Sequence, residues 1–138
     1  MGKIMFSKKE IREFQKIGLE IVYLFGSEAQ KRTQPMSDID IGLVFTQPEK
    51  IKDKTNVFKD LYKLFSRIFP IDKEIDVVFL QSVPLSVQIS AIQTGEVLYQ
   101  KTRAKRYAYE EYTLKQYLDF QPHLERFNQA ILSRVWIK

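Results

Sequence analysis

Residues 38–45, DIDIGLVF, open a dense apolar run with two aspartates one residue apart. Alternate residues of a strand project from one face, so a strand here points Asp38 and Asp40 the same way. Strand interiors disfavour Asp, and two carboxylates side by side raise each other's pKa unless a cation neutralises them. A divalent ion meets that need, because hard cations take oxygen ligands. A second apolar run, EIVYLF at 20–25, stops at Gly26-Ser27, ten residues ahead of the acid pair. A third, EIDVVFL at 74–80, carries Asp76 among apolar neighbours. If the strands bearing Asp38/Asp40 and Asp76 are neighbours, three carboxylates converge. Such a set holds two Mg²⁺ ions for in-line phosphoryl or nucleotidyl transfer.

Gly26 and Ser27 point to the molecule that would meet those ions. Glycine at a strand end lets a phosphate approach the backbone with no Cβ in the way. Serine at a following helix N-terminus adds a hydroxyl, an N–H and the positive end of the helix dipole. Each feature alone has a plain structural explanation: a turn for Gly-Ser, an exposed strand end for Asp-x-Asp, an edge charge for Asp76. Their occurrence together, each in the right element, favours chemistry over chance.

The rest of the chain supplies a scaffold. Ser7-Lys8-Lys9-Glu10 reads as a capping box, with Ile11, Phe14 and Ile17 at helical spacing and Gly18 as the stop. Gly26-Ser27 opens a short helix through Gln30, and 31–37 is loop. Residues 50–68 form an amphipathic helix ended by Pro70, and 82–94 a helix with Pro84 early and Gly95 past its end. Residues 96–100 add a short strand. Residues 103–119 form a long helix, which Gln121-Pro122 interrupts before it resumes over 123–136. The order predicts an α/β (α+β) fold: a small mixed sheet flanked by helices, with a C-terminal helical tail. One domain spans 1–138, its core covering about 8–100 and its tail 101–138.

Composition sets the outer bounds. Absence of cysteine excludes disulfides and thiolate metal sites. No apolar run approaches the roughly 18 residues of a membrane span, so a soluble, cytoplasmic protein is expected. The +5 formal charge and pI near 9.3 suit polyanions, but on charge alone a lysine-rich solubilising surface is the preferred reading. The basic residues are dispersed except for KTRAKR at 101–106. The single histidine, His123, has no ligand-spaced partner and reads as a surface or helix-start residue. Tyr107, Tyr109, Tyr112, Tyr117 and Trp136 read as packing against the sheet or a partner protein rather than as a base-stacking surface.

With these residues in place, the chain resembles the minimal nucleotidyltransferases of the DNA polymerase β superfamily. Their pattern of Gly-Ser, ten residues and Asp-x-Asp falls on Gly26, Ser27, Asp38 and Asp40, and their third carboxylate on Asp76. PLSVQISAIQTGEVLYQK (84–101) and EEYTLKQYLDFQPH (110–123) resemble the MntA-type antitoxins, encoded with HEPN-domain ribonuclease toxins. The resemblance implies a nucleotidyltransferase fold and transfer of AMP from ATP to a tyrosine hydroxyl of a HEPN toxin. It implies that Asp38 and Asp40 hold both metals, that Asp76 binds the metal nearest the nucleophile and accepts or orients its proton, and that Gly26 and Ser27 seat the β- and γ-phosphates. Many relatives follow Gly-Ser with Arg-Ala-Arg-Gly; here the residues are Glu28-Ala29-Gln30-Lys31. Lys31 or Arg32 is then expected to supply the positive charge toward the triphosphate. A homo- or hetero-oligomer is expected, with no requirement for nucleic acid. Two alternatives stand beside this: an antitoxin acting by binding alone, and transfer to another acceptor such as a small molecule.

Overall fold

The computed structural model describes residues 4–26, 39–70 and 72–136. The chain runs α1 (Lys8–Lys16), β1 (Leu19–Phe25), β2 (Ile39–Phe45), α2 (Lys54–Ile68), β3 (Ile75–Phe79), α3 (Leu85–Thr94), β4 (Glu96–Gln100) and α4 (Arg103–Trp136). The strands form one sheet in the order β3-β2-β1-β4. β1 is antiparallel to β2 and β4, whereas β2 and β3 run parallel, joined through α2. The expected mixed sheet flanked by helices is therefore present, with the nucleotidyltransferase-like α+β order and a C-terminal helix.

Both faces of the sheet are covered because its central strands are apolar on both sides. On one face Leu19, Val22, Ile39, Ile41 and Leu43 pack with Phe14 of α1 and Leu61, Leu64 and Phe65 of α2. On the other, Ile21, Tyr23, Phe25 and Val44 pack with Leu80 and with Ala91 of α3. Every residue of β1 is buried. Such burial on both sides explains why its sequence is a continuous apolar run rather than an alternation.

The helix ends follow local chemistry. Ser7 Oγ accepts from the Glu10 N–H at 3.1 Å while Glu10 Oε1 accepts from the Ser7 N–H at 2.8 Å, completing the expected capping box. Gly18 takes φ +75°, which turns the chain from α1 into β1. Helix α2 starts later than its periodicity suggests. Pro48–Lys50 forms a separate 3₁₀ turn, and Asp53 caps the helix through the Asn56 N–H at 3.1 Å. Similarly, Leu80–Ser82 is a 3₁₀ turn between β3 and α3, so β3 ends at Phe79 and α3 begins only after Pro84.

One expectation is corrected: α4 does not break at Pro122. Proline removes one backbone N–H, leaving the carbonyl of Leu118 without its helical donor. Leu118, Gln121, Pro122 and His123 are all exposed, so water can serve that carbonyl and the helix continues. His123 is accordingly an exposed mid-helix residue rather than a helix start. No helix among the described residues is long and apolar enough to cross a membrane.

Candidate active site

The site lies where β1 ends and β2 and β3 begin. In the parallel pairing of β2 with β3, Asp40 stands directly opposite Asp76, and opposite residues of neighbouring strands share a face. On the other side of β2, Asp40 is opposite Phe25, the last residue before Gly26. Residues two along β2 from Asp40 continue its face: Gly42 and Val44 look toward Leu80 and the α3 side. The carboxylates therefore sit at the open end of a face whose other end is packed core.

Asp40 is partly buried and Asp76 exposed. Burial, and secondarily the Asp76 charge beside it, raises the Asp40 carboxyl from 3.8 to about 6. The pair is thus held with its charge incompletely compensated, a state that a cation would relieve. Among the described residues no group of three or more metal-ligating side chains occurs.

Gly26 adopts φ +85°, a left-handed conformation that L side chains rarely take. A Cβ at this position would run into the Asp40 side chain, overlapping Oδ2 and lying 2.6 Å from Cγ. The glycine admits the Asp40 carboxylate against the end of β1. The sequence signal for this was available only as a glycine after a buried strand; its partner was not.

Asp40, Asp76 and Gly26 are thus brought together. Asp38, Ser27, Lys31 and Arg32, along with the short helix and loop expected over 27–37, lie outside the described residues.

A polar network missed by the sequence reading fixes β1 on the same face as the carboxylates. The buried Tyr23 hydroxyl donates to Glu110 Oε2 at 2.7 Å, and Arg106 holds the same carboxylate at 3.2 Å. Arg106 Nε also donates to Gln100 Oε1 at 2.6 Å on β4, and its guanidinium lies 4.8 Å from the Tyr107 ring centroid. Tyr109 donates to Gln88 of α3 at 2.8 Å. At least one cation of the basic 101–106 run is therefore structural. It clamps α4 to the strand that ends at Gly26.

Among solved structures, the chain is similar to one in a toxin–antitoxin complex with AMP-PNP. Identity is 26% with a TM-score of 0.62, over 92% of this chain and 95% of that one. It is similar to a chain of the MntA-HepT toxin–antitoxin, at 25% identity and TM-score 0.59, over 92% and 93%. It is also similar to a chain in the complex of tri-AMPylated Shewanella oneidensis HEPN toxin with MNT antitoxin. There the identity is 25% and the TM-score 0.59, over 92% of both chains. No curated protein sequence matches. The family model described as polymerase beta, nucleotidyltransferase matches residues 8–104, spanning every strand and the carboxylate pair. The chain belongs to the polymerase β nucleotidyltransferase family.

Proposed function

We propose that this protein is the antitoxin of a HEPN-domain toxin and silences it by transferring AMP from ATP to a tyrosine hydroxyl. The observation that carries the reading is the Asp40–Asp76 pair in direct register beside a left-handed glycine. The similar structures support this choice of substrates: one is of a complex with AMP-PNP and another contains an AMPylated HEPN toxin.

In the reaction, the acceptor oxygen attacks the α-phosphorus of ATP, the bond to the bridging oxygen breaks, and pyrophosphate leaves. The acceptor proton passes to Asp76, the more exposed carboxylate, or is oriented by it toward solvent. Gly26 and Ser27 seat the β- and γ-phosphates, and Lys31 or Arg32 balances their charge. The donor set fits a divalent ion: two carboxylates share one face, and one is pushed toward neutrality in the ion's absence. Asp38, Asp40 and Asp76 would hold two Mg²⁺ ions, which when bound neutralise the triphosphate and the departing pyrophosphate. A protein acceptor suits the exposed apolar residues of α4, where Tyr107, Tyr112, Leu114, Leu118 and Phe120 present surface that the sheet does not use. The side chain of Trp136 lies outside the described residues.

Saturating Mg-ATP is expected to raise the thermal midpoint, whereas Mg²⁺ alone changes it little. Ligand at a hundredfold excess over its dissociation constant adds about 2.7 kcal/mol of stability. Scanning fluorimetry with ATP, Mg²⁺ and both together checks this. An unchanged midpoint with both present counts against a working site.

A further inference from the structure

β3 is the last strand of the sheet, and among the described residues no strand pairs with its outer side. Its inner side is fully engaged: the Ile39 N–H donates to the Glu74 carbonyl at 3.0 Å, and the register proceeds through Asp40↔Asp76 and Gly42↔Val78. This alternation turns the backbone groups of 74, 76 and 78 toward β2, and those of Ile75, Val77 and Phe79 outward. Proteins usually blunt such an edge with lysine, proline or a bulge. The β3 sequence, IDVVF, has neither residue, and its pairing with β2 shows no register shift. Its one charge is Asp76, on the face of the carboxylate pair.

Beside that edge, on the α2 side, lies an open groove of about 460 Å³, lined by Lys54, Thr55, Phe58, Val77, Phe79 and Ser82. Phe58 is 38% exposed and Tyr62 40%, and their rings stack with centroids 5.9 Å apart. Two large aromatic side chains on one helix ridge thus stand exposed beside a strand edge that no described strand pairs.

We propose that β3 is the docking edge for the acceptor: an extended segment of the acceptor polypeptide adds a fifth strand there, bringing its modified residue over Asp76. Successive side chains of an added strand alternate between faces. The residue beside Asp76 lies on the carboxylate face, and its immediate neighbours drop apolar side chains into the Phe58 groove. The occupant is the acceptor rather than a second copy because the edge is continuous with the site, through Asp76 itself. A second copy paired antiparallel about Val77 would bring its own Asp76 diagonally onto the same face as Asp76, placing like charges side by side. The inference rests on the AMP-transfer reading above.

Phe58→Glu tests it in the full-length protein, with the cognate HEPN toxin as acceptor and Phe58→Leu as the conservative control. The glutamate variant should raise the KM for toxin about tenfold or more, with little change in kcat at saturating toxin. Phe58→Leu should stay near wild type, and both variants should keep the Mg-ATP thermal shift. In hydrogen exchange, toxin should protect the amides of Val77 and Phe79. An unchanged KM with unprotected amides overturns the proposal. So does loss of the Mg-ATP shift in Phe58→Glu, which assigns the groove to ATP binding or to the fold. A toxin-free dimer that Phe58→Glu dissociates also overturns it, by giving the edge to a second copy. If wild type protects these amides with toxin yet transfers nothing, docking stands and the AMP-transfer reading falls.

Discussion

Asp40→Asn is expected to abolish nucleotidyl transfer and, in metal-free solution at neutral pH, to make the protein more stable than wild type. The two effects share one cause. Asparagine keeps the shape of the side chain but removes the charge that a metal would need, and losses on the order of 10²–10³-fold in rate follow from deleting one such stabilising group. Without metal, the same charge is a burden. The folded carboxyl titrates at about 6 against 3.8 for the ordinary group, because of burial and then Asp76. A raised acid favours its protonated form in the fold, so wild type loses stability as pH rises from the lower value through the higher. Asparagine avoids that loss. The gain is about 1 kcal/mol after allowing for solvent screening of a half-exposed carboxylate. Urea melts in chelator should show it near about pH 7.5 and find it gone near about pH 4, where Asp40 is protonated anyway. A variant that is less stable at both pH values would show Asp40 to be a structural residue. Wild-type transfer would remove it from the mechanism.

Gly26→Ala is expected to be the most damaging single-methyl change near the site. A non-glycine residue at φ +85° costs about 1 kcal/mol in backbone strain. The new methyl also collides with the Asp40 carboxylate, so that side chain must leave its place opposite Asp76. Together these should lower stability by about 1–3 kcal/mol and remove the Mg-ATP thermal shift. A double-mutant cycle separates the two causes. In an Asp40→Ala background the carboxylate is absent, and Gly26→Ala should cost clearly less than it does in wild type. Equal costs in both backgrounds would leave only backbone strain and detach Gly26 from Asp40.

Much of this was legible in the chain itself. Strands β1, β2 and β3 announce themselves as β-branched, aromatic runs bounded by Gly, Pro and polar residues. The chain left open whether the strands of Asp40 and Asp76 are neighbours; they pair in parallel, joined by α2, the kind of connection that parallel strands require. Helix starts were less legible. Ile51 continues the apolar period of α2 but belongs to the segment before the Asp53 cap, since periodicity records burial and not backbone conformation. Pro122 misled in the opposite direction, because local propensity forecasts a break that an exposed helix can absorb. The Tyr23–Glu110–Arg106 clamp was not legible at all. Tyr23 and Glu110 are 87 residues apart, and nothing local distinguishes this tyrosine from others buried in strands. The approach of the Asp40 side chain to Gly26 was not legible either, because strand pairing rather than sequence proximity sets it.

On the proposed reading the exposed aromatic and leucine side chains of α4 hold the toxin while the carboxylates modify it, so binding and catalysis are separable. The decisive measurement is the intact mass of the HEPN toxin after incubation with this protein and Mg-ATP, followed by complete separation of the two. Wild type should leave the toxin heavier by one or more adenylyl groups and still inactive as a ribonuclease. An Asp38→Asn/Asp40→Asn double variant should bind the toxin in pull-down yet leave its mass unchanged, and nuclease activity should return on separation. If the double variant silences the separated toxin as durably as wild type, covalent transfer is not the mechanism.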